Sequence, residues 1–263
     1  MLAPMRHKYA DVLQLFSRKD CARMPAEDWP RVVSGMGFQA PESLSEQIAQ
    51  YIGRQIILGQ LRPLERIQEL KLARELSVSR GSVREALLIL QARHLVAIYP
   101  RRGAVVSDFC AHQAESLYDI YVQLLAMLVC RFAARWTAED LARFQSRLQQ
   151  LSHCLGDESG SAEQIMEASF ELMRSCYQAV ANPYLEEALE SYRPALSRAY
   201  YLTLQYQRPE SASALGFYNR LLEAIQERSQ EQVRQLVWEF GRTQLDMVLQ
   251  AIAAEPEVQA REA

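Results

Sequence analysis

Residues 69–88, ELKLARELSVSRGSVREALL, contain two short helical patterns separated by a tight polar turn. Ala73 is small where the second helix would cross the first, and Val83 and Ala86 are apolar where the pair must pack on another helix. This is the spacing of a helix-turn-helix from Glu69 to Leu88. It constrains the fold strongly, because both helices need a third helix to bury their shared apolar side.

The flanking segments supply that third helix and a β-hairpin. A preceding helix is predicted with Ser43 as its cap. Its one apolar face is formed by Leu44, Ile48, Tyr51, Ile52 and Ile56. After the pair, VAIYPRRGAVVS gives two β-prone runs, 96–99 and 104–107, with Gly103 at the turn. Three helices and a two-stranded ribbon predict a winged helix-turn-helix over residues 44–109.

Beyond Phe109 the sequence predicts helices without intervening strands. The predicted segments, separated by helix-breaking residues, are 112–136, 138–154, 161–181, 183–206, 212–228 and 230–253. The predicted fold class is therefore mainly α, with an N-terminal winged helix-turn-helix and a C-terminal antiparallel all-α bundle of about six helices. The expected domains are an extension at 1–43, a winged unit at 44–109, a helical effector and dimerisation domain at 110–255 and a frayed tail at 256–263. The extension has no sustained period, which favours a mobile segment over a docking arm.

Charge is distributed unevenly along the chain, although the net charge is only −3. Residues 44–109 hold 10 Lys and Arg against 6 Asp and Glu, whereas residues 110–263 hold 13 against 21. A basic segment beside an acidic remainder suggests that only the winged unit meets a polyanion.

Several classes of protein are excluded by what the sequence lacks. No apolar run approaches the roughly 18 residues that span a bilayer, and the first residues do not form a secretory signal. Five scattered cysteines indicate reduced thiols in a cytoplasmic protein. The sequence has no P-loop, Gly-rich dinucleotide turn, G-x-S-x-G or Glu-x-x-His pair, so we expect neither an enzyme nor a membrane protein.

The second helix of the pair begins with residues that suit double-stranded DNA. Ser79 and Ser82 can cap the helix or bind a phosphate, and Gly81 lets the backbone come close. Arg80 and Arg84 are four residues apart, so they project together and can each offer two N–H groups to guanine or to phosphate. The alternative is that these arginines are only solvated.

The predicted hairpin adds a second group of candidate DNA contacts. Arg101, Arg102 and Gly103 form its tip, where two arginines suit contact with the DNA backbone or the minor groove. The combination of turn spacing, paired arginines and Arg-Arg-Gly tip favours DNA binding over simple solvation.

Residues 44–109 resemble the winged-helix domain of the GntR family of bacterial transcription regulators. ELSVSRGSVREAL is close to the family signature L-x-V-S-R-T-P-V-R-E-A-L. The resemblance implies a homodimer on a short inverted repeat. It also implies recognition-helix contacts by Ser79, Arg80, Gly81 and Arg84, and a wing at 101–103.

Five positions depart from the family pattern, and two of them, Gly81 and Ser82, replace its Thr-Pro pair. Leu64, Ser77 and His94 stand where the family usually has glycine. A side chain there disfavours positive φ, so the sequence predicts strained turns at these positions.

The bundle resembles the FCD effector domain of the FadR-type subgroup through the phrases YQAVANPYLEEAL and NRLLEAI. Many such domains hold a divalent metal through one aspartate and three histidines, and the metal then holds a carboxylate ligand. By this resemblance, the corresponding positions are Glu167, Glu171, Asn219 and Phe240. Because no histidine remains among them, we expect no metal and no cofactor.

Two further positions lack the charged residues that the family often has. Tyr121 and Leu125 replace an arginine and a glutamate that the family often has. An effector site formed by Tyr121, Leu125, Glu167, Glu171, Asn219 and Phe240 would therefore suit an apolar or acyl-type molecule. We expect an effector-responsive repressor in which ligand binding shifts the paired wings. The alternative is a constitutive DNA-binding regulator whose bundle only dimerises.

Overall fold

The structure is a computed structural model that describes residues 43–157, 161–206 and 211–262. The predicted N-terminal extension, up to residue 42, lies outside the described residues. The N-terminal part contains α1 (Leu44–Ile57), α2 (Glu69–Glu75), α3 (Arg80–Ala92), β1 (Val96–Tyr99) and β2 (Gly103–Val106). The C-terminal part contains α4 (Ala111–Arg135), α5 (Ala138–Gly156), α6 (Ala162–Arg174), α7 (Tyr177–Val180), α8 (Pro183–Tyr206), α9 (Ser211–Gln226) and α10 (Gln230–Glu262). The predicted fold class is confirmed.

The winged unit has its own apolar core between α1 and α3. Ile52 and Ile56 of α1 are buried against Val83 and Leu87 of α3, as the helical period of both segments requires. Helix α2 contributes the small residue Ala73 to the same core. This packing fixes the direction in which the exposed side of α3 faces.

The wing contains a third extended segment that the sequence did not predict. The β1–β2 hairpin pairs Val96 with Val106 and Tyr99 with Gly103, so Gly103 begins β2 instead of lying within the turn. In addition, the Val106 amide donates to the Glu65 carbonyl at 2.9 Å, and the Ile67 amide donates to the Ala104 carbonyl at 2.9 Å. The segment before α2 therefore lies along the free edge of β2 and covers it.

Three non-glycine residues adopt the left-handed conformation at the turns that the sequence singled out. The φ angles are 63° at Leu64, 54° at Ser77 and 61° at His94. A Cβ atom in this region clashes with the neighbouring carbonyl group, at a cost of about 1–2 kcal/mol per residue. The predicted positive φ at these three turns is confirmed, and each carries a cost that glycine would avoid.

Two features of the bundle differ from the prediction. The segment 161–181 forms two helices, α6 and α7, because the chain turns at Ser175, whose hydroxyl donates to the Leu172 carbonyl at 2.6 Å. Helix α10 continues through residues 256–262, which the sequence analysis assigned to a frayed tail.

Capping interactions fix both ends of the connection between α4 and α5. Thr137 and Asp140 form a capping box in which each side chain binds the other residue's backbone amide. At the end of α4, Arg228 donates to the Ala134 and Trp136 carbonyls, each at 3.0 Å. Such contacts satisfy carbonyl groups that a helix end leaves without an internal partner.

Helix α4 lies at the centre of the bundle, where it packs against α8 and α10. Among the described residues it is the one helix whose length and composition would allow it to cross a membrane, with a hydropathy of 1.5. Of the 18-residue apolar stretch of α4 that meets this criterion, 44% is buried inside the protein. A buried core helix meets the same criterion of length and composition.

Candidate DNA-binding surface and ligand cavity

The start of α3 is held by a serine cap. Ser79 is the N-cap, and its hydroxyl oxygen accepts a hydrogen bond from the Ser82 amide at 3.0 Å. The hydroxyls of Ser79 and Ser82 are 2.9 Å apart. Both serines therefore stabilise the helix end, and the exposed Gly81 between them adds no side chain to the surface.

The predicted arginines of the helix and the wing lie around one open depression. Arg80, Arg84, Arg101 and Gly103 line it together with the first residues of α2. The predicted Arg102 is exposed at the wing tip but does not line the depression. Helix and wing thus present guanidinium groups to the same region of solvent.

One carboxylate fixes the direction of Arg84. The Nε of Arg84 donates to a Glu69 carboxylate oxygen at 2.8 Å, and the arginine side chain remains 62% exposed. An exposed ion pair of this kind contributes little to stability, about 0–1 kcal/mol. Its consequence is geometric, because Glu69 holds the guanidinium over the depression and leaves most of it accessible.

Arg66 is a candidate contact that the sequence analysis missed. It lies in the extended segment beside β2, is exposed and lines the same depression. The sequence predicts no element for this segment, although buried Ile67 beside exposed Arg66 is the alternation of an edge strand. Arg66 raises the number of guanidinium groups around the depression to four, against the carboxylate of Glu69.

The bundle encloses a cavity of about 120 Å³. Its walls come from α4, α5, α6, α8, α9 and α10, and they include four phenylalanines and four tyrosines. The lining residues are Tyr118, Tyr121, Leu125, Val129, Phe144, Met166, Ser169, Phe170, Leu172, Met173, Cys176, Leu196, Tyr200, Phe217, Tyr218, Leu221, Val237, Phe240 and Gln244. No charged side chain is among these described residues.

Half of the predicted effector residues line this cavity. Tyr121, Leu125 and Phe240 do so, as expected. Glu167 and Glu171 instead form ion pairs outside it, with Arg193 at 2.5 Å and Arg174 at 2.8 Å respectively. Asn219 is exposed on α9. These three residues therefore lie outside the lining of the cavity.

Helix phase explains the difference. The side chains of α6 that reach the cavity include Ser169 and Met173, each two positions after a predicted glutamate. Two residues rotate a helix by about 200°, so an alignment displaced by two places the opposite face in the site. On α9 the neighbouring Tyr218 lines the cavity in place of Asn219.

The cavity is neutral because its polar groups stay protonated. Burial raises the pKa values of the Tyr118, Tyr121 and Tyr218 hydroxyls. The nearby Glu190 carboxylate raises that of Tyr121 further. Burial alone would raise the pKa of Glu190, but hydrogen bonds from Arg174 and Tyr177 and the charges of Arg174 and Arg193 together lower it. This carboxylate, outside the lining, therefore remains charged.

The side chains around this cavity do not fit a metal ion. Ser169, Met173, Tyr218 and Phe240 offer neither the imidazole nitrogens nor the carboxylates that such a site uses. Throughout residues 43–157, 161–206 and 211–262, no group of three His, Cys, Asp or Glu is placed to hold one. The chemistry of the cavity is therefore that of its own side chains.

Helix α8 connects the cavity with the winged unit. Leu196 and Tyr200 line the cavity, whereas Tyr192 stacks on His94 with ring centroids 5.7 Å apart. Arg198 is buried, donates to the Ser107 carbonyl at 2.8 Å and lies over the Phe109 ring. One helix thus touches both the cavity and the residues that follow α3 and β2.

Comparison with known proteins agrees with this arrangement. Residues 44–106 match the sequence profile described as bacterial regulatory proteins, gntR family, and residues 116–242 match that of the FCD domain. The HTH-type transcriptional regulator McbR of Escherichia coli K12 is 26% identical over 217 residues, covering 82% of this chain and 97% of McbR. The regulator YdhC of Bacillus subtilis is 23% identical over 194 residues, covering 73% and 84%.

Solved structures give the same result. The structure of E. coli McbR/YncC has a TM-score of 0.67 at 25% identity and covers 80% of this chain and 99% of that chain. A GntR protein of Rhodococcus sp. RHA1 shares the fold, with a TM-score of 0.62 at 21% identity over 79% and 98% of the chains. The chain belongs to the gntR family of bacterial regulatory proteins and is a DNA-binding transcriptional regulator with a C-terminal FCD domain.

Proposed function

We propose that this regulator is a cytoplasmic homodimeric repressor that binds a short inverted repeat and is released by a small molecule. In this proposal residues 44–109 contact DNA, and residues 110–255 dimerise and sense the effector. The observation that carries it is the shared depression, at which Arg80 and Arg84 of the recognition helix meet Arg101 of the wing. A basic concave surface between a recognition helix and a wing suits a DNA duplex.

Each arginine has a distinct role in the proposed contact. Arg80 and Arg84 enter the major groove with the start of α3, where a guanidinium can bind guanine O6 and N7. Arg101, Arg102 and Gly103 contact the backbone or the minor groove beside it. Ser79, Gly81 and Ser82 shape the helix end that approaches a phosphate.

Helix α4 supports the proposed dimer. Ile120 and Met127 are 46% and 44% exposed, although both are large and apolar. They are seven residues apart, about two helical turns, and so project from the same side of α4. A second copy of the chain would cover this side, and two copies related by a two-fold axis match an inverted repeat.

The proposed response to the effector passes through α8. A ligand in the cavity contacts Leu196 and Tyr200, and any movement of α8 is transmitted to His94 and Ser107 through Tyr192 and Arg198. The two wings of a dimer must match the spacing of both half-sites at once. A small rotation of the winged units therefore weakens binding, because the second half-site is no longer reached.

Selection of bound duplexes from a random-sequence library by the purified protein tests the DNA-binding mode. We expect an enriched short inverted repeat, and Arg84→Ala should reduce discrimination at one base pair of each half-site by about 1–3 kcal/mol. Arg62→Ala is a matched control, because Arg62 is exposed but does not line the depression. An equal loss on all sequences would assign Arg84 to phosphate binding, and enrichment of no repeat would contradict the proposal.

Two further measurements test the dimer and the alternative of a bundle without a ligand. Met127→Glu should convert the dimer to a monomer by light scattering after gel filtration, whereas Trp238→Glu, a change at another exposed apolar residue, should not. A ligand that binds the folded state must raise its thermal stability. If no compound of any class did so, a constitutive regulator whose bundle only dimerises would be the better description.

A further inference from the structure

We propose that the bundle cavity binds an uncharged molecule of about the size of one substituted ring, held by one or two hydrogen bonds to tyrosine hydroxyls. This inference rests on the proposed sensing role of the bundle and narrows it to one chemical class. It excludes carboxylates and long acyl chains as ligands of this cavity.

The charge of the ligand follows from the lining. None of the 19 described lining residues carries a charge. The guanidinium of Arg193, outside the lining, lies 5.1 Å from the centroid of the Phe170 ring and is paired with Glu167. A carboxylate in the cavity would lose its water without gaining a counter-charge, which makes its binding unfavourable.

The size of the ligand follows from the volume. The cavity measures about 120 Å³, and an apolar cavity of about 150 Å³ in another protein holds benzene. Pockets for drug-sized ligands are larger, about 300–1,000 Å³. A ring with one or two substituents fits the available space, whereas a long acyl chain would require the bundle to repack.

Aromatic walls and hydroxyl groups define where such a ring would be held. Phe217 and Phe240 stack with centroids 4.5 Å apart and an interplanar angle of 16°, which gives the cavity a flat wall. The Tyr121 hydroxyl donates to the sulfur of Met173 at 3.4 Å. Sulfur is a weak acceptor, so an oxygen of the ligand would be a better partner for this proton.

Other polar groups face the same space. Burial raises the pKa values of the Tyr200 and Tyr218 hydroxyls, and hydrogen bonds with Ser169 lower them by a smaller amount. These neutral hydroxyls can donate or accept, and they match a hydroxyl, carbonyl or ether oxygen on the ligand. A cavity with few polar groups among many apolar atoms is typical of sites that orient small molecules.

Thermal unfolding of the full chain with four probes tests the inference. Phenol and benzyl alcohol represent the proposed class, benzoate is a charged compound of similar size, and decanoate represents an acyl chain. We expect phenol or benzyl alcohol to raise the melting temperature and to bind at least about ten-fold more tightly than benzoate. An equal or larger increase with benzoate or decanoate would overturn the proposal, as would no increase with either ring alcohol.

Two variants locate the binding to the cavity. Tyr121→Phe should reduce the preference for phenol over toluene, whereas Tyr177→Phe should not, because the Tyr177 hydroxyl binds Glu190 outside the lining. Ser169→Leu should abolish the shift by filling the space. If Ser169→Leu misfolds, the comparison of the four probes on the wild-type protein still tests the inference.

Operator binding measured in the same samples separates the two proposals. If phenol fails to bind but the protein still binds a specific operator sequence, the proposed DNA-binding function stands and only the proposed ligand class is wrong. If ligand binding is seen without any specific DNA binding, the proposed function fails and the cavity chemistry remains.

Discussion

Replacing Ser77 by glycine should stabilise the DNA-binding unit. Ser77 is exposed, has a φ of 54° and forms the turn between α2 and the recognition helix. A side chain in this left-handed conformation costs about 1–2 kcal/mol, whereas glycine loses about 0.5–1 kcal/mol more in chain entropy on folding. The difference predicts a gain of about 0.5–1 kcal/mol for Ser77→Gly.

Hydrogen exchange followed by mass spectrometry measures this gain in the correct domain. The three tryptophans of the chain are at positions 29, 136 and 238, so fluorescence does not report on residues 44–109. Peptides from α2 and α3 should exchange about two- to five-fold more slowly in Ser77→Gly, since 1.4 kcal/mol corresponds to ten-fold. Ser77→Ala keeps the Cβ atom and should exchange like wild type. If Ser77→Gly exchanged as fast as wild type, or if Ser77→Ala gave equal protection, the assignment of strain to this turn would be refuted.

Three other substitutions test separate parts of the structure. Glu69→Gln should lower discrimination between operator and random DNA by about 1 kcal/mol, because Arg84 loses its orienting partner, while binding to random DNA tightens; an unchanged ratio in titrations of both DNAs would contradict this role. Tyr192→Leu should leave ligand-free operator affinity almost unchanged but reduce the effect of a bound ligand on it by about 0.5–2 kcal/mol; a full ligand response would show that coupling takes another route. Asp140→Asn should cost about 1 kcal/mol at pH 7, because backbone and side-chain hydrogen bonds from Thr137 lower the pKa of Asp140. That stability is present above the ordinary aspartate pKa of about 4 and is lost as the pH falls through the lower folded-state value, so urea unfolding of the two proteins should converge in acid; a difference independent of pH would contradict this.

The winged unit could be predicted from the sequence because its helices are amphipathic and its turns are short. The apolar period around Val83 and Ala86 fixed the buried side of α3, and therefore the exposed side that carries Arg80 and Arg84. The edge segment around Arg66 was missed because only one of its residues is fully buried, which is too short a pattern to distinguish a strand from a loop.

The ligand cavity was predicted less completely, for a reason of geometry. Whether a residue on a buried helix faces a cavity or the neighbouring helix depends on rotation about the helix axis, and each position changes that rotation by about 100°. Tyr121, Leu125 and Phe240 line the cavity, whereas Glu167, Glu171 and Asn219 do not. An apolar period alone does not reveal this difference, because the bundle buries more than one side of its helices.

Helix α8 contributes both to the lining of the cavity and to the contact with the winged unit. Leu196 and Tyr200 line the bundle cavity, and Tyr192 on the same helix stacks on His94, two residues after the end of α3. Under the proposed sensing role, substitutions at Leu196 or Tyr200 should therefore change both the affinity for a ligand and the size of the operator response to it. Substitutions at Phe217, on α9, should change ligand affinity with less effect on that response.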